Sequence, residues 1–265
     1  MSVQQGNEQI VRTEFQKQAR GFSNKSLSLN SEDLLKWIHR HLPLNEGVKM
    51  LDVAAGTGIL SRYLAPYVNK VISVDLSPDM IAEGIERNNA LNISNIEFNL
   101  AHAEQIPSDK EAFDLVISRL AFHHFTNPKK VLEEMIRVSK LSGTICIVDM
   151  ISPEDNELYH QYNHYERLRD PSHTNALKET EFIKLFENAG LDIQTIETID
   201  VPINVNKWLE LTSTADQVAV QIIEDIQLEL ADKKTTGLFP YIESGEVMFT
   251  QKWIKVIGGH ETLVQ

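Results

Sequence analysis

Hydrophobic residues form short continuous runs along the middle of the chain, and segments with apolar residues at helical spacing separate these runs. Helices are predicted at about 58–65, after Ser77-Pro78 and after Asn127-Pro128, where a capping side chain precedes a proline. The apolar runs predict buried strands at 48–54, 70–75, 95–100, 113–118 and 144–150. Because continuous apolar strands that alternate with helices are typical of a parallel sheet covered on both faces, we predict an α/β fold with a doubly wound sheet.

The two ends of the chain follow a different pattern. Before the first strand, helices are predicted at 7–20 and 31–42, and the second opens with Ser31 as its cap. After Met150 the regular alternation stops. We predict helices around 155–168 and 178–189, a strand at 191–198, a helix with one apolar face formed by Val218, Ile222, Ile226 and Leu230, and a strand near 247–254. The total is seven strands, the last of them antiparallel at the sheet edge.

We predict a single domain, because no linker, repeat or block of charge divides the 265 residues. Residues 1–46 form an N-terminal helical cover in this interpretation, 47–151 form the cofactor-binding core, and 152–265 supply the substrate-side helices and the last two strands. Ligands of doubly wound sheets bind at the carboxyl ends of the strands. The N-terminal and inserted helices are therefore expected to form a lid over that end.

Composition and charge narrow the range of partners. The formal net charge of −13 argues against nucleic acid or an anionic membrane surface, because such binding needs clustered Lys and Arg. No apolar run reaches the roughly 18 residues of a membrane span, and the N-terminus lacks a signal-peptide pattern. We expect a cytoplasmic monomer or homodimer with a small-molecule substrate and no membrane insertion. The nine histidines lack ligand spacing, so no metal is predicted, and Cys146 is interpreted as a core residue.

The stretch VKMLDVAAGTGILSRYL at 48–64 places Gly56 and Gly58 where the first strand meets its helix. Glycine allows positive φ and close approach of a ligand to the backbone, and the helix start offers free N–H groups. Asp75, at the end of the second strand, is placed to accept hydrogen bonds from two ribose hydroxyls. The pattern therefore predicts a nucleotide-like ligand. A dinucleotide fits less well, because Ser61 occupies the third position of the Gly-x-Gly-x-x-Gly motif.

Several motifs together resemble class I S-adenosylmethionine-dependent methyltransferases. The run Asp52-Val-Ala-Ala-Gly56-Thr-Gly58 resembles their first motif, in which the acid lies near the charged amino-acid moiety of the cofactor. Ala54 stands where the family usually has its first glycine, which is tolerable if the backbone keeps a negative φ there. "VISVDLSPDMI" looks like the second motif, "AHAEQIPS" is similar to the adenine-binding segment with His102 in place of the common aspartate, and "FDLVISRLAFHHF" resembles the fourth-strand motif.

The combination of "RLAFHHF", "DMISPED" and "RDPSH" resembles the ubiquinone/menaquinone-biosynthesis-like (methyltransferase type 11) group, over roughly Phe15 to Ile257. The resemblance implies a Rossmann-like fold, S-adenosyl-L-methionine as cofactor and S-adenosyl-L-homocysteine as product. The cofactor-binding residues that we predict are Asp52, Ala54, Gly56, Gly58, Asp75, Leu76, Met80, His102, Ala103, Glu104, Ser118 and Arg119.

The predicted reaction is methyl transfer to a small molecule by in-line displacement. If the acceptor loses a proton, the candidate bases are His123, His124 and His173, although structural roles account equally well for the first two. Candidate substrate contacts are Tyr162, Tyr165 and Arg169. Two alternatives stay open, an inactive protein that binds the same cofactor and, with less support, a nicotinamide-dependent oxidoreductase. The sequence does not specify whether carbon, oxygen or nitrogen receives the methyl group.

Overall fold

The structure is a computed structural model that describes residues 3–22 and 30–260. Within these ranges the chain forms one mixed sheet. Its strands, numbered along the chain, are β1 Lys49–Val53, β2 Lys70–Asp75, β3 Ile96–Leu100, β4 Phe113–Arg119, β5 Ser139–Met150, β6 Leu191–Asn204, β7 Tyr241–Glu243 and β8 Glu246–His260. The order across the sheet is β3-β2-β1-β4-β5-β8-β6, and β7 pairs with β8 outside this path.

Helices cover both faces of the sheet in the described part of the chain. They are α1 Val3–Phe22, α2 Glu32–His39, α3 Ile59–Leu64, α4 Pro78–Ala90, α5 Pro128–Val138, α6 Asn156–Arg169, α7 Glu179–Asn188, α8 Val205–Leu211 and α9 Asp216–Leu230. Ser31, Ser77 and Asn127 cap α2, α4 and α5, each with a side-chain oxygen that accepts a backbone N–H of the first turn. The capping residues seen in the sequence therefore set where these helices begin.

The predicted doubly wound α/β sheet with an antiparallel last strand is confirmed, but this strand, β8, lies between β5 and β6 and not at the predicted sheet edge, because β6 pairs with its outer side. Strands β1 to β5 pair in parallel, and β8 runs antiparallel to β5 and β6. An eighth strand was not predicted: β7 forms a short hairpin with β8 through Ser244 and Gly245, both at positive φ as a two-residue hairpin turn requires. Helix α8 was also missed. The predicted strand at 191–198 continues to Asn204 through Pro202, which an edge strand tolerates because one side needs no ladder bonds.

The position of the site follows from the strand order. Strand β1 lies in the middle, with β2 and β3 on one side and β4 and β5 on the other, so successive crossovers leave β1 in opposite directions. Each face of the sheet has its own cluster of buried apolar side chains. A crevice opens beyond the carboxyl ends of the strands at such a reversal, and ligands of open α/β sheets bind there.

Candidate functional site

A cavity of about 1280 Å³, counting its open mouth, lies at the carboxyl ends of β1, β2 and β4. Four residues of α1 close one side of it, namely Glu8, Val11, Arg12 and Phe15. Their spacing of three, four and seven positions places them on one face of the helix. The N-terminal helix therefore lies over the site, and this spacing is the signal in the sequence that identifies its cavity-facing residues.

Asp75 is held rigidly at the end of β2. Its Oδ2 accepts the backbone N–H of Gly56 at 2.7 Å, and its Oδ1 accepts that of Ser77 at 2.8 Å. Burial raises the pKa of Asp75, although the bonds from Ser77 and Gly56 oppose this shift. A carboxylate has about four acceptor sites, so two backbone bonds leave capacity for further donors. Asp75 thus joins the glycine loop to the next strand and can still accept bonds from a ligand in the cavity.

Asp52 is almost completely buried at the end of β1, and the hydroxyl of Ser61 donates to its Oδ2 at 2.5 Å. Ser61 in turn lies 2.8 Å from the hydroxyl of Ser73 on β2. Burial raises the pKa of Asp52 to about 6, against the lowering effects of the Ser61 bond and of the charge on Arg119. The serine that replaces the third glycine of a dinucleotide motif therefore orients the acid of the site, a role that the sequence analysis missed.

Ala54 does not have the negative φ at which an alanine in this position would be tolerable. Its φ is +56°, the same value as that of Gly56, so both residues occupy the left-handed region. The chain thus places an alanine where the backbone favours glycine, because the loop must turn sharply between β1 and the wall of the cavity. The Ala54 side chain lines the cavity together with Gly56.

Exchanging these two residue types should give opposite changes in stability. We expect Ala54→Gly to raise the free energy of unfolding by about 1 kcal/mol, because it relieves the left-handed alanine at a smaller entropic cost. Gly56→Ala has open space for its new methyl group and should lower it by about the same amount. Urea unfolding of the ligand-free variants measures both. A loss of stability in Ala54→Gly would contradict the strain assigned to Ala54.

Gly58 has a packing role that was not predicted. It caps α3 at φ +74° but does not line the cavity, and a Cβ there would lie 2.6 Å from Cζ of Phe98. Gly84 approaches the same ring, because its Cβ would lie 2.5 Å from that atom. The two glycines make room for the Phe98 ring between α3 and α4, which is a packing requirement.

The cavity also contains histidine contacts to α1. His102 accepts the backbone N–H of Glu104 through Nδ1 at 3.1 Å, and its Nε2 lies 3.4 Å from the carboxylate of Glu8. His124 meets the ring of Phe15 edge to face, with 5.0 Å between ring centroids. Because Glu8 and Phe15 are two turns apart on α1, the two histidines contact the covering helix at two separate points.

Arg119 lies at the end of β4 in the cavity wall. Its guanidinium donates to the side chain of Asn30 at 3.3 Å and lies over the Trp253 ring at 5.7 Å. Burial lowers the pKa of Arg119 to about 10, and the charges of Asp52 and Asp149 oppose this. Arg119 therefore stays protonated at neutral pH beside a buried acid.

The three histidines proposed as bases are neighbours, with the His123 ring against each of the other two rings, and of the three His124 lines the cavity. The rings of His123 and His124 lie 4.0 Å apart, and those of His123 and His173 lie 5.4 Å apart. His123 binds Asp149 at 2.6 Å, and His173 binds Asn163 at 2.8 Å. Burial lowers the pKa of His124 to about 4, and the neighbouring His123 adds to this, so its ring is neutral at pH 7.

The structure does not bring the predicted substrate contacts to the cavity. The Tyr162 hydroxyl accepts from Gln251 at 3.2 Å, and the Tyr165 hydroxyl donates to Asp225 at 2.8 Å. Arg169 pairs with Glu166 on the same helix at 3.0 Å. All three side chains are buried and bound within the protein, because α6 turns this face toward α8, α9 and β8.

Most of the predicted cofactor residues do line the cavity. Gly58 and Ser118 do not, since the Ser118 hydroxyl donates to the backbone oxygen of Val53 at 2.9 Å and joins β4 to β1. The predicted cofactor residues in the cavity wall are Asp52, Ala54, Gly56, Asp75, Leu76, Met80, His102, Ala103, Glu104 and Arg119.

No cluster of three or more metal-binding side chains occurs in the described ranges, and none of the helices there has the length and apolar character to cross a bilayer.

Comparison with known proteins identifies the family of this site. The family described as "Methyltransferase domain" matches residues 44–202. The Bacillus subtilis protein named uncharacterized methyltransferase YcgJ is 29% identical over 247 residues, which cover 93% of this chain and 97% of YcgJ. The crystal structure of YcgJ gives a TM-score of 0.79 at 27% identity, covering 87% of this chain and 100% of the YcgJ chain.

Other proteins share parts of this similarity. The ubiquinone/menaquinone biosynthesis C-methyltransferase UbiE of Wigglesworthia glossinidia brevipalpis is 33% identical over 113 residues, which cover 41% of this chain and 45% of that protein. Geranyl diphosphate C-methyltransferase of Streptomyces coelicolor A3(2), solved with S-adenosyl-L-homocysteine, has a TM-score of 0.59 at 15% identity, covers 86% of this chain and 78% of its own, and shows the shared fold alone. Because the family match spans more than half of the chain, this protein belongs to the methyltransferase domain family and is a class I S-adenosylmethionine-dependent methyltransferase.

Proposed function

We propose that this protein methylates a small molecule by in-line displacement, with S-adenosyl-L-methionine bound in the cavity at the ends of β1, β2 and β4. The observation that carries the proposal is the geometry of Asp75. Its two carboxylate oxygens are fixed by the backbone N–H groups of Gly56 and Ser77 and can still accept bonds from a ribose diol. The cofactor supplies a methyl carbon on a cationic sulfur. The protein's part is then to align the acceptor and to exclude water.

The charges of the cavity suit this cofactor. Asp52 and Arg119 are opposite charges that both line the cavity, which matches an amino-acid group that carries both an ammonium and a carboxylate. Glu8, Asp75 and Glu104 add further negative charge around the cavity. A cationic sulfonium compound is favoured by such a wall, whereas the pyrophosphate of a nicotinamide dinucleotide would be repelled by it.

The acceptor side of the cavity is mainly apolar. Leu120, Phe125 and Phe15 line the cavity together with His124, and the Phe15 ring meets the neutral His124 ring edge to face. A neutral imidazole in such surroundings can accept a hydrogen bond, or a proton from an acidic hydroxyl or carbon, as methyl transfer begins. We therefore assign contact with the acceptor to His124, and a supporting role through ring stacking to His123 and His173. Tyr162, Tyr165 and Arg169 are assigned to the support of α6 in this proposal.

Calorimetric titration of the purified protein with S-adenosylmethionine, S-adenosylhomocysteine and NAD⁺ tests the proposed function. We expect micromolar binding of the two sulfur nucleotides, and at least a tenfold loss of affinity in Asp75→Ala, because hydrogen bonds to a carboxylate are lost. Asp79→Ala is the matched control: Asp79 is exposed in the first turn of α4, and its removal changes the net charge equally.

The outcomes separate the open alternatives. Binding that Asp75→Ala weakens and Asp79→Ala spares, followed by release of S-adenosylhomocysteine in an acceptor screen, supports the proposal. Preference for NAD⁺ in a folded sample would overturn the cofactor assignment. Tight binding without turnover on phenolic, enolic and amine acceptors would favour an inactive cofactor-binding protein.

A further inference from the structure

The segment Asp170-Pro-Ser-His173 directly follows α6 and contacts His124 from outside the cavity. The ring nitrogen Nδ1 of His124 lies 3.0 Å from the backbone oxygen of Ser172 and 3.1 Å from the hydroxyl of the same residue. The Ser172 hydroxyl also lies 2.5 Å from Oδ1 of Asp170. A carboxylate, a hydroxyl and an imidazole thus form one buried chain that ends in the cavity wall.

We propose that Asp170 and Ser172 are positioning residues that hold His124 in the tautomer with its proton on Nδ1, which makes Nε2 the acceptor atom of the ring. The importance of this tautomer for methyl transfer rests on the proposed function, whereas the tautomer itself does not.

The hydroxyl of Ser172 determines which group donates each hydrogen bond between His124, Ser172 and Asp170. A hydroxyl has one proton, and a carboxylate at 2.5 Å is the stronger acceptor for it. The Ser172 oxygen can then only accept from His124, so Nδ1 must be the donor. If Nδ1 were unprotonated instead, its lone pair would face the Ser172 carbonyl oxygen at 3.0 Å with no proton between them. Both contacts therefore select the same tautomer.

Ionisation of Asp170 agrees with this arrangement. Burial raises the pKa of Asp170, but the charge that His124 carries only when protonated at low pH, the charge of Arg169 and the bonds from Ser172 outweigh it, so the pKa lies below its ordinary value. The backbone N–H of Ser172 donates to the same oxygen, Oδ1, at 2.9 Å. Asp170 is thus a carboxylate held by two donors of one residue, which fixes the orientation of the Ser172 side chain.

The turn after α6 stays against His124 without the hydroxyl of Ser172. The backbone N–H groups of Thr174 and Asn175 donate to the His123 carbonyl at 2.8 Å and 3.0 Å, and the Thr174 hydroxyl donates to the His124 carbonyl at 3.0 Å. These bonds remain in Ser172→Ala and Asp170→Asn. Both variants should therefore fold with the turn still against His124.

Nitrogen NMR of the full chain labelled with ¹⁵N-histidine tests the proposal, with His124 assigned by comparison with His124→Gln. We expect a pyrrole-like Nδ1 and a pyridine-like Nε2 at neutral pH, both ligand-free and with S-adenosylhomocysteine added. Asp170→Asn should move the tautomer ratio toward Nε2–H by about tenfold, because a neutral amide holds the serine proton less strongly. In the Ser172→Ala background the same substitution should have little further effect.

Thr174→Val is the matched control, since it removes a hydroxyl from the same turn without touching the His124 ring, and it should leave the tautomer unchanged. A wild-type His124 protonated on Nε2 would overturn the proposal. An equal response to Asp170→Asn with and without the Ser172 hydroxyl would also overturn it. Because no outcome requires cofactor binding or turnover, failure of this inference is distinguishable from failure of the proposed function.

Discussion

Asp52→Asn should make the ligand-free protein more stable at neutral pH while it weakens cofactor binding. The carboxylate of Asp52 is almost fully buried, and burial raises its pKa from 3.8 to about 6. A shift of about two units means that the charged form costs about 3 kcal/mol more in the folded chain than in the unfolded chain at pH 7. The amide keeps the shape and the acceptor for Ser61 but carries no charge, so this cost disappears.

The gain from Asp52→Asn must depend on pH in a definite direction. Between pH 4 and pH 6 the unfolded carboxyl is ionised while the folded one still holds its proton, so wild-type stability falls as the pH rises. Above pH 6 the cost is constant. The variant should therefore exceed the wild type by about 3 kcal/mol at pH 7.5 and by roughly half of that at pH 5, as measured by urea unfolding at both values.

Asp114→Asn removes the same charge from β4 and serves as the control. Burial raises the pKa of Asp114, but its bonds to Lys140 and to the backbone of Lys49 outweigh this and hold the pKa below 3.8. Its replacement should lower stability or leave it unchanged, the opposite direction to Asp52→Asn. Equal gains from both variants would trace the effect to the net charge of −13 rather than to the buried site.

Asp52→Asn should also change the affinity for the cofactor. We propose that the charge of Asp52 attracts the ammonium group of the cofactor, so Asp52→Asn should bind S-adenosylhomocysteine at least tenfold more weakly at pH 7.5. Wild-type affinity should fall as the pH decreases through 6, where Asp52 takes up its proton. A variant that is stabilised and still binds at the wild-type affinity would remove Asp52 from the cofactor site and leave its burial unexplained.

The parts of this fold that were predictable are those that depend on local pattern. The apolar runs that form β1, β2 and β4 have nearly continuous burial. Ser77 and Asn127 mark the starts of α4 and α5, because each side chain accepts a backbone N–H of the first turn. The hairpin of β7 was not predictable in the same way, because its three residues acquire strand geometry only by pairing with β8.

The site was predictable where a backbone requirement selects the residue type. Gly56 and Asp75 follow from the turn at the end of β1 and the neighbouring strand end. Ala54 misled for the same reason, since its residue type indicates a negative φ and the loop imposes a positive one. Tyr162, Tyr165 and Arg169 looked like pocket residues because they are aromatic or basic near a turn. Which way a helix turns such a face depends on packing against distant elements, here α8, α9 and β8.

Lys255→Met should destabilise the protein by roughly 3 kcal/mol, because a single buried ammonium completes the end of α2. Lys255 lies on β8 with no exposed side chain, and its Nζ donates to the carbonyl oxygens of Trp37 at 2.7 Å and Arg40 at 3.0 Å. It also pairs with Glu197 at 2.8 Å and lies over the Trp37 ring. The last carbonyls of a helix have no partner within the helix, and a cation beside them also suits the helix dipole.

Methionine fills a similar volume, so the loss reports the ammonium and not a cavity. Replacing a whole buried ion pair by apolar groups is often harmless, but removing one partner leaves the other unpaired, and here the Trp37 carbonyl is buried as well. Lys252→Met is the matched control, because Lys252 is exposed on the same strand and its replacement should change the free energy of unfolding by less than about 0.5 kcal/mol. Equal midpoints of urea unfolding for the two variants would show that packing of Trp37, rather than the charge of Lys255, attaches α2 to the sheet.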